Sequence, residues 1–240
     1  MRIVWRGTSL IAAMAVLALP GTGQAQTTVS GGLVSNGMFE EGGTGLGSVN
    51  TILTVQAKGN NTIESGCIAP GDVTTDCGFA DNVVKTGASQ SQTVFLSALS
   101  GVNGSNVGVV LNFAEPASAV EGQLDALVLT LYNSSGAALF STNLASSIFY
   151  TDTFTGTGNS GFLFSLTPDA ANAFDAAVAN GGTQLGLGTA LSQVTGGQET
   201  FFIGVSSSAV TTTPEPASLV LLGTGLIGIF GAVRRRRAAV

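Results

Sequence analysis

The chain has 240 residues, room for one domain of ordinary size with appendages, and it contains no histidine. Its basic residues sit at the ends (Arg2 and Arg6; Arg234, Arg235, Arg236 and Arg237), which leaves Lys58 and Lys85 alone among fourteen carboxylates. Two lysines cannot neutralise a phosphate backbone, so nucleic acid is excluded as an expected partner. The lack of imidazole excludes Ser-His-Asp and Cys-His catalysis and His-ligated zinc.

In chain order, residues 1–25 read as a secretory signal peptide. Arg2 and Arg6 are followed by an apolar run from Ser9 to Leu19 and by the small residues Gly23 and Ala25. Residues 26–48 are rich in Gly and Thr and read as a flexible lead-in ending in a first strand. A domain follows over residues 49–208. Val107, Val109, Leu111 and Phe113 alternate with smaller or polar residues, the period of a strand with one buried face. Leu127, Leu129 and Leu131 repeat the pattern, a turn is expected over Asn133–Gly136, and Ala138–Thr142 returns as a hairpin. Phe162, Phe164 and Leu166 predict another strand, and Phe201, Ile203 and Val205 one more. Weaker strand candidates are 50–57, 82–86 and 92–98.

One helix is expected. Thr167 caps it, Pro168 suits its first turn, Asp169 complements its dipole and Asn180, Gly181 and Gly182 end it. Short strands, frequent turns and a single helix predict an all-β fold, a jelly-roll-like β-sandwich, though the length also permits a small barrel.

Little chemistry is expected of this domain. Cys67 and Cys77, the only cysteines, are close in sequence and lie in the exported part, which predicts a disulfide. Glu64, Asp72, Asp76 and Asp81 border that loop and form a speculative calcium set, although their spacing matches no EF-hand and a solvated acidic loop is the expected reading. Glu115, Glu121 and Asp125 could supply a glycosidase pair but read better as turn carboxylates. Trp5 leaves with the signal peptide, so Tyr132 and Tyr150 are the only aromatics with a polar tip left for stacking on a sugar. No catalytic residue, cofactor or enzymatic activity is expected.

The C-terminus is the most specific part. A Thr/Pro spacer over residues 209–216 ends in Pro214, Glu215 and Pro216, an uncharged span covers residues 217–233, and residues 234–240 carry the arginine block. As a helix the span reaches roughly 26 Å, at the short limit for a bilayer core of about 30 Å. Arg234, Arg235, Arg236 and Arg237 act as a stop-transfer signal on the cytoplasmic side. The two prolines keep their motif outside the helix.

The Pro-Glu-Pro motif, apolar span and arginine cluster together resemble the PEP-CTERM sorting signal of Gram-negative bacteria that make exopolysaccharide. The resemblance implies an exosortase, a membrane cysteine protease, as partner. It also implies transient anchoring in the inner membrane and a final place at the cell surface or outside it, with polysaccharide as a further partner. Leu127 to Phe140, the alanine-rich helix and Thr195 to Phe202 resemble, more diffusely, the β-rich domains of other PEP-CTERM proteins, most of which lack an assigned activity.

Overall fold

The computed structural model describes residues 25–40, 49–56, 61–71, 74, 83–86, 90–114, 121–151, 160–194 and 196–205. The chain divides into two units, Met1–Val205 and Ser206–Val240, and all the described residues belong to the first.

Among the described residues eleven strands form one sheet: β1 Thr27–Glu40, β2 Asn50–Val55, β3 Ile63–Ile68, β4 Val94–Phe95, β5 Val107–Asn112, β6 Gly122–Asn133, β7 Ala138–Leu144, β8 Ile148–Tyr150, β9 Ser160–Leu166, β10 Gly182–Ser192 and β11 Glu199–Val205. The main path runs β2-β11-β5-β9-β1-β7-β6-β10-β3, with β4 beside β10 and β8 beside β6. Only the β1–β7 pairing is parallel among these ladders.

The all-β class with one helix is as expected. The two layers of a sandwich are realised by a single sheet that curls like a barrel, with β2-β11-β5-β9 as one half and β7-β6-β10-β3 as the other. β1 joins the halves on one side, because its first residues pair with β7 and its last with β9. On the other side the join is a short seam. The Val83 amide donates to the Ser65 carbonyl on β3 (2.9 Å), and the Lys85 amide donates to the Thr54 carbonyl on β2 (2.9 Å). Val84 bridges to Val55 between them. A sheet closed in this way leaves few unpaired edges.

The lead-in expected over residues 26–48 needs correction, since Thr27–Glu40 is a fourteen-residue strand at the junction of the two halves. Its glycines serve geometry rather than looseness. Gly31 (φ +68) lies where the register against β7 shifts, and Gly37 (φ +84) where the register against β9 shifts. At Gly37 one extra residue on β1 makes a bulge in the antiparallel ladder, and at Gly31 two extra residues interrupt the parallel one, as the strand passes from one half to the other. Residues 41–48 lie outside the described residues.

The interior is filled with apolar side chains from both halves. Phe113, Phe140, Phe164, Phe201, Leu111, Leu129 and Leu131 are all inaccessible to solvent. Outward positions on β6 and β7 carry Gln123, Asp125, Thr130, Ser141 and Asn143. This polarity is the reverse of a lipid-facing barrel. β5 and β11 depart from the expected one-faced pattern, because Val110, Leu163 and Phe202 form a second buried cluster on the opposite face.

The helix α1, Pro168–Ala179, forms as its capping residues predict: the Thr167 hydroxyl accepts from the Ala170 amide (3.4 Å), and Gly181 turns the chain at φ +94. It touches β9, β1, β7, β6 and β10, five consecutive strands, while its Asp169, Asn172 and Asp175 stay exposed. A half-exposed helix with that set of neighbours lies across the end of the curl. Phe174 is its plug, fully buried and edge-on to Phe140 at 5.7 Å between ring centroids. The Thr167 amide ties the helix start to Gly32 on β1 (2.9 Å), and Asp175 accepts from the Gly104 amide ahead of β5 (2.7 Å).

Candidate functional site

The sorting residues Pro214, Glu215 and Pro216, the span 217–233 and Arg234–Arg237 lie outside the described residues, as do residues 1–24 of the expected signal peptide 1–25. Among the described residues no helix is long and apolar enough to cross a membrane.

Cys67 lies on β3, 4 % exposed and opposite Gly188 of β10, and no free cysteine occurs among the described residues. Its expected partner Cys77 lies outside them. Of the speculative calcium set, Asp72, Asp76 and Asp81 also lie outside, whereas Glu64 is fully buried. Glu64 shares its face of β3 with the core residue Ile68, so it points into the barrel. Glu199 on β11 is likewise buried, on the same face as Phe201 and Ile203. These two inward carboxylates flank the seam, an arrangement that sequence reading did not anticipate. Among the described residues no group of three or more His, Cys, Asp or Glu side chains could hold a metal ion.

Of the carboxylates considered for glycosidase chemistry, Glu115 lies outside the described residues. Glu121 is exposed just before β6. Asp125 is the extra residue of a bulge where β6 shifts against β10, exposed and accepting from Gln123 Nε2 at 2.5 Å. Asn103 and Asn133, both in sequon-like triplets, build turns. Asn133 Oδ1 accepts from the amides of Ser135 (3.0 Å) and Ala137 (2.9 Å). Asn103 Oδ1 accepts from the Ser105 amide (2.9 Å). Side-chain acceptors of this kind stand in for backbone in tight turns.

The two remaining tyrosines differ in setting. Tyr150 is buried against Phe113 (5.9 Å) and Phe162 (4.2 Å), and burial pushes its phenol well above its ordinary range. Tyr132 is half-buried on β6; burial raises its pKa and a hydrogen bond with Thr130 partly opposes the rise. Its partner across β6 and β10 is Gln184, and the partner of Gln184 across β10 and β4 is Phe95. Directly opposed residues share a face of the sheet. The next row confirms the orientation: Leu131, Leu185 and Val94 all belong to the core. Phe95, Gln184 and Tyr132 therefore share the face opposite the core, with Phe95 exposed, Tyr132 half-buried and Gln184 only 8 % exposed.

Phe95 is 52 % exposed. It borders a groove of about 410 Å³ lined also by Asn50, Gly71, Gln92, Thr93 and Gln184, with no charged residue among the described residues of its lining. The Gln184 carboxamide is fixed by donating to the Thr93 hydroxyl. A second cavity, about 310 Å³, lies between Thr27 and the alanine face of α1 and has no titratable group among the described residues of its lining. No sequence signal marks the outward row, because it exists only once β4, β10 and β6 are in register.

Residues 212–237 match the family model of the PEP-CTERM protein-sorting motif. No curated protein and no solved structure matches the chain. The motif implies export through the exosortase pathway and a membrane-anchoring tail. The chain thus carries its best-defined functional element at its C-terminal end, and that element is a PEP-CTERM protein-sorting signal.

Proposed function

We propose that the chain is a non-enzymatic protein of the cell surface or extracellular matrix, delivered by its sorting signal and associated with exopolysaccharide. The observation that carries the reading is the sorting motif at residues 212–237 placed directly after a closed β-domain. A histidine-free composition supports it, because Ser-His-Asp and Cys-His constellations cannot be assembled from this chain. In this reading residues 1–25 are removed on export, Cys67 pairs with Cys77 in the oxidising compartment, and the tail anchors the chain until the exosortase cuts near Pro216.

The test is the intact mass of the protein recovered from membranes and from medium of its own host. A released species running from Gln26 to near Pro216 is expected. A single membrane-bound species that keeps Arg234–Arg237 while the exosortase is active would reduce the tail to an ordinary anchor. A second reading, a glycan-binding module using the same route, is favoured by one observation, the outward row on β4, β10 and β6.

A further inference from the structure

We propose that the row Phe95–Gln184–Tyr132, with the groove beside it, is a docking platform for a neutral saccharide chain. The inference rests on the surface-protein reading above and adds to it a site and a ligand class.

Sugar rings offer two chemistries at once, patches of C–H on their faces and hydroxyls at their edges. A matching site needs a flat apolar surface beside fixed groups able both to donate and to accept. Phe95 supplies the surface, exposed on the two-residue strand β4. Gln184 stands directly across from it, and a carboxamide carries both a donor and an acceptor. Its orientation is set in advance by Thr93, so little rotamer freedom is lost on binding. Gln92 and Asn50 add two more carboxamides along the groove. Tyr132 lies two strand spacings from Phe95, roughly 10 Å, and ends the row with a second aromatic. The groove's volume falls within the range of about 300–1,000 Å³ typical of small-ligand clefts.

Charge selects among saccharides. Among the described residues the lining carries no cation, and the whole chain holds only Lys58 and Lys85 against fourteen carboxylates once the terminal arginines are set aside. Polymers rich in uronic acid or sulfate would meet net repulsion and find no cationic partner. Neutral glycans meet neither obstacle.

The experiment uses the full chain in detergent on an array of neutral glucan, mannan and galactan oligosaccharides, with uronic-acid oligosaccharides alongside. Binding to at least one neutral series is expected. Phe95→Ala should weaken it tenfold or more, and Phe95→Trp should keep or strengthen it. Because Phe95 is exposed, both variants should melt within a degree or two of the parent. Failure to bind any neutral oligosaccharide at millimolar concentration overturns the proposal, as does a Phe95→Ala variant that binds like the parent or a preference for the acidic series. Phe95→Ala should still be exported and processed normally. Binding that depends on Phe95 in a chain that is never released would leave the platform standing and overturn the surface-protein reading instead.

Discussion

Gly32→Ala is the sharpest test of the place given to β1. Gly32 sits on β1 where β7 and the start of α1 converge, and its backbone torsion is ordinary, so an added methyl acts through space alone. That methyl would overlap the Thr142 hydroxyl and lie 2.7 Å from Ala170 Cβ, both on residues with almost no exposure. The same hydroxyl donates to the Val29 carbonyl at 2.8 Å, so relieving the overlap breaks a buried hydrogen bond. Overpacking of this kind costs about 1–3 kcal/mol. The lost hydrogen bond adds about 0.5–1.5 kcal/mol. A total of roughly 2–4 kcal/mol corresponds to a fall in Tm of about 4–16 °C for a domain of this size.

The assay is urea and thermal unfolding of the purified protein followed by far-ultraviolet circular dichroism. Gly37→Ala is the control: nothing lies within 4 Å of its added methyl, and its positive φ alone should cost about 1–2 kcal/mol. Thr142→Ala in the Gly32→Ala background removes the overlapping group and should recover part of the loss, an interaction energy above about 0.5 kcal/mol. If Gly32→Ala unfolds within about 0.5 kcal/mol of the parent, residues 27–40 do not form the packed junction described, and the flexible lead-in returns.

Two further outcomes follow from buried side chains. The native Tyr150 phenol holds its proton above pH 10, where an unfolded tyrosine has lost it, so its contribution to stability is complete below pH 10 and falls away as pH rises beyond that. Its hydroxyl has no hydrogen-bond partner, so Tyr150→Phe should be neutral or stabilising by up to about 1 kcal/mol and should soften the alkaline loss; a clear destabilisation at pH 7 would show that the hydroxyl is bonded. Denatured, unreduced protein should take up no alkylating reagent by mass spectrometry and two equivalents after reduction, while a Cys67→Ser and Cys77→Ser double variant should lose up to about 3 kcal/mol. Uptake before reduction would rule out the proposed pairing.

What the sequence made legible followed from strong periodicity. Val107–Phe113, Leu127–Leu131 and Phe162–Leu166 each show an apolar repeat of two, and each is a strand. The helix was legible from Thr167, Pro168 and the glycines beyond Asn180, since capping is local chemistry. β1 and β10 were hidden by their glycines. In β10, Gly182 reads as a helix stop, yet it also opens the strand under Leu131, where a Cβ would lie 2.5 Å from the leucine Cδ2. Gly186 and Gly188 continue a strand that pairs with β3, β4 and β6. Glycine there marks close approach of neighbouring backbone and rings rather than a loop. The outward row was illegible for a different reason. Phe95 and Tyr132 are thirty-seven positions apart, and only the two-residue ladder of β4 on β10 brings them into line.

The same topology bears on the order of events in folding. β1, the first strand in chain order, finds its ladder partners among the described residues only on β7 and β9, and the Gly31 amide waits for Asn143, 112 positions on. Gln56 beside the seam bonds Gly196, 140 positions away, and β2 has no ladder partner in the main sheet until β11 is present. Contacts this distant make folding slow and late. Closure therefore requires the chain as far as Val205, a few residues short of the sorting motif that begins at residue 212.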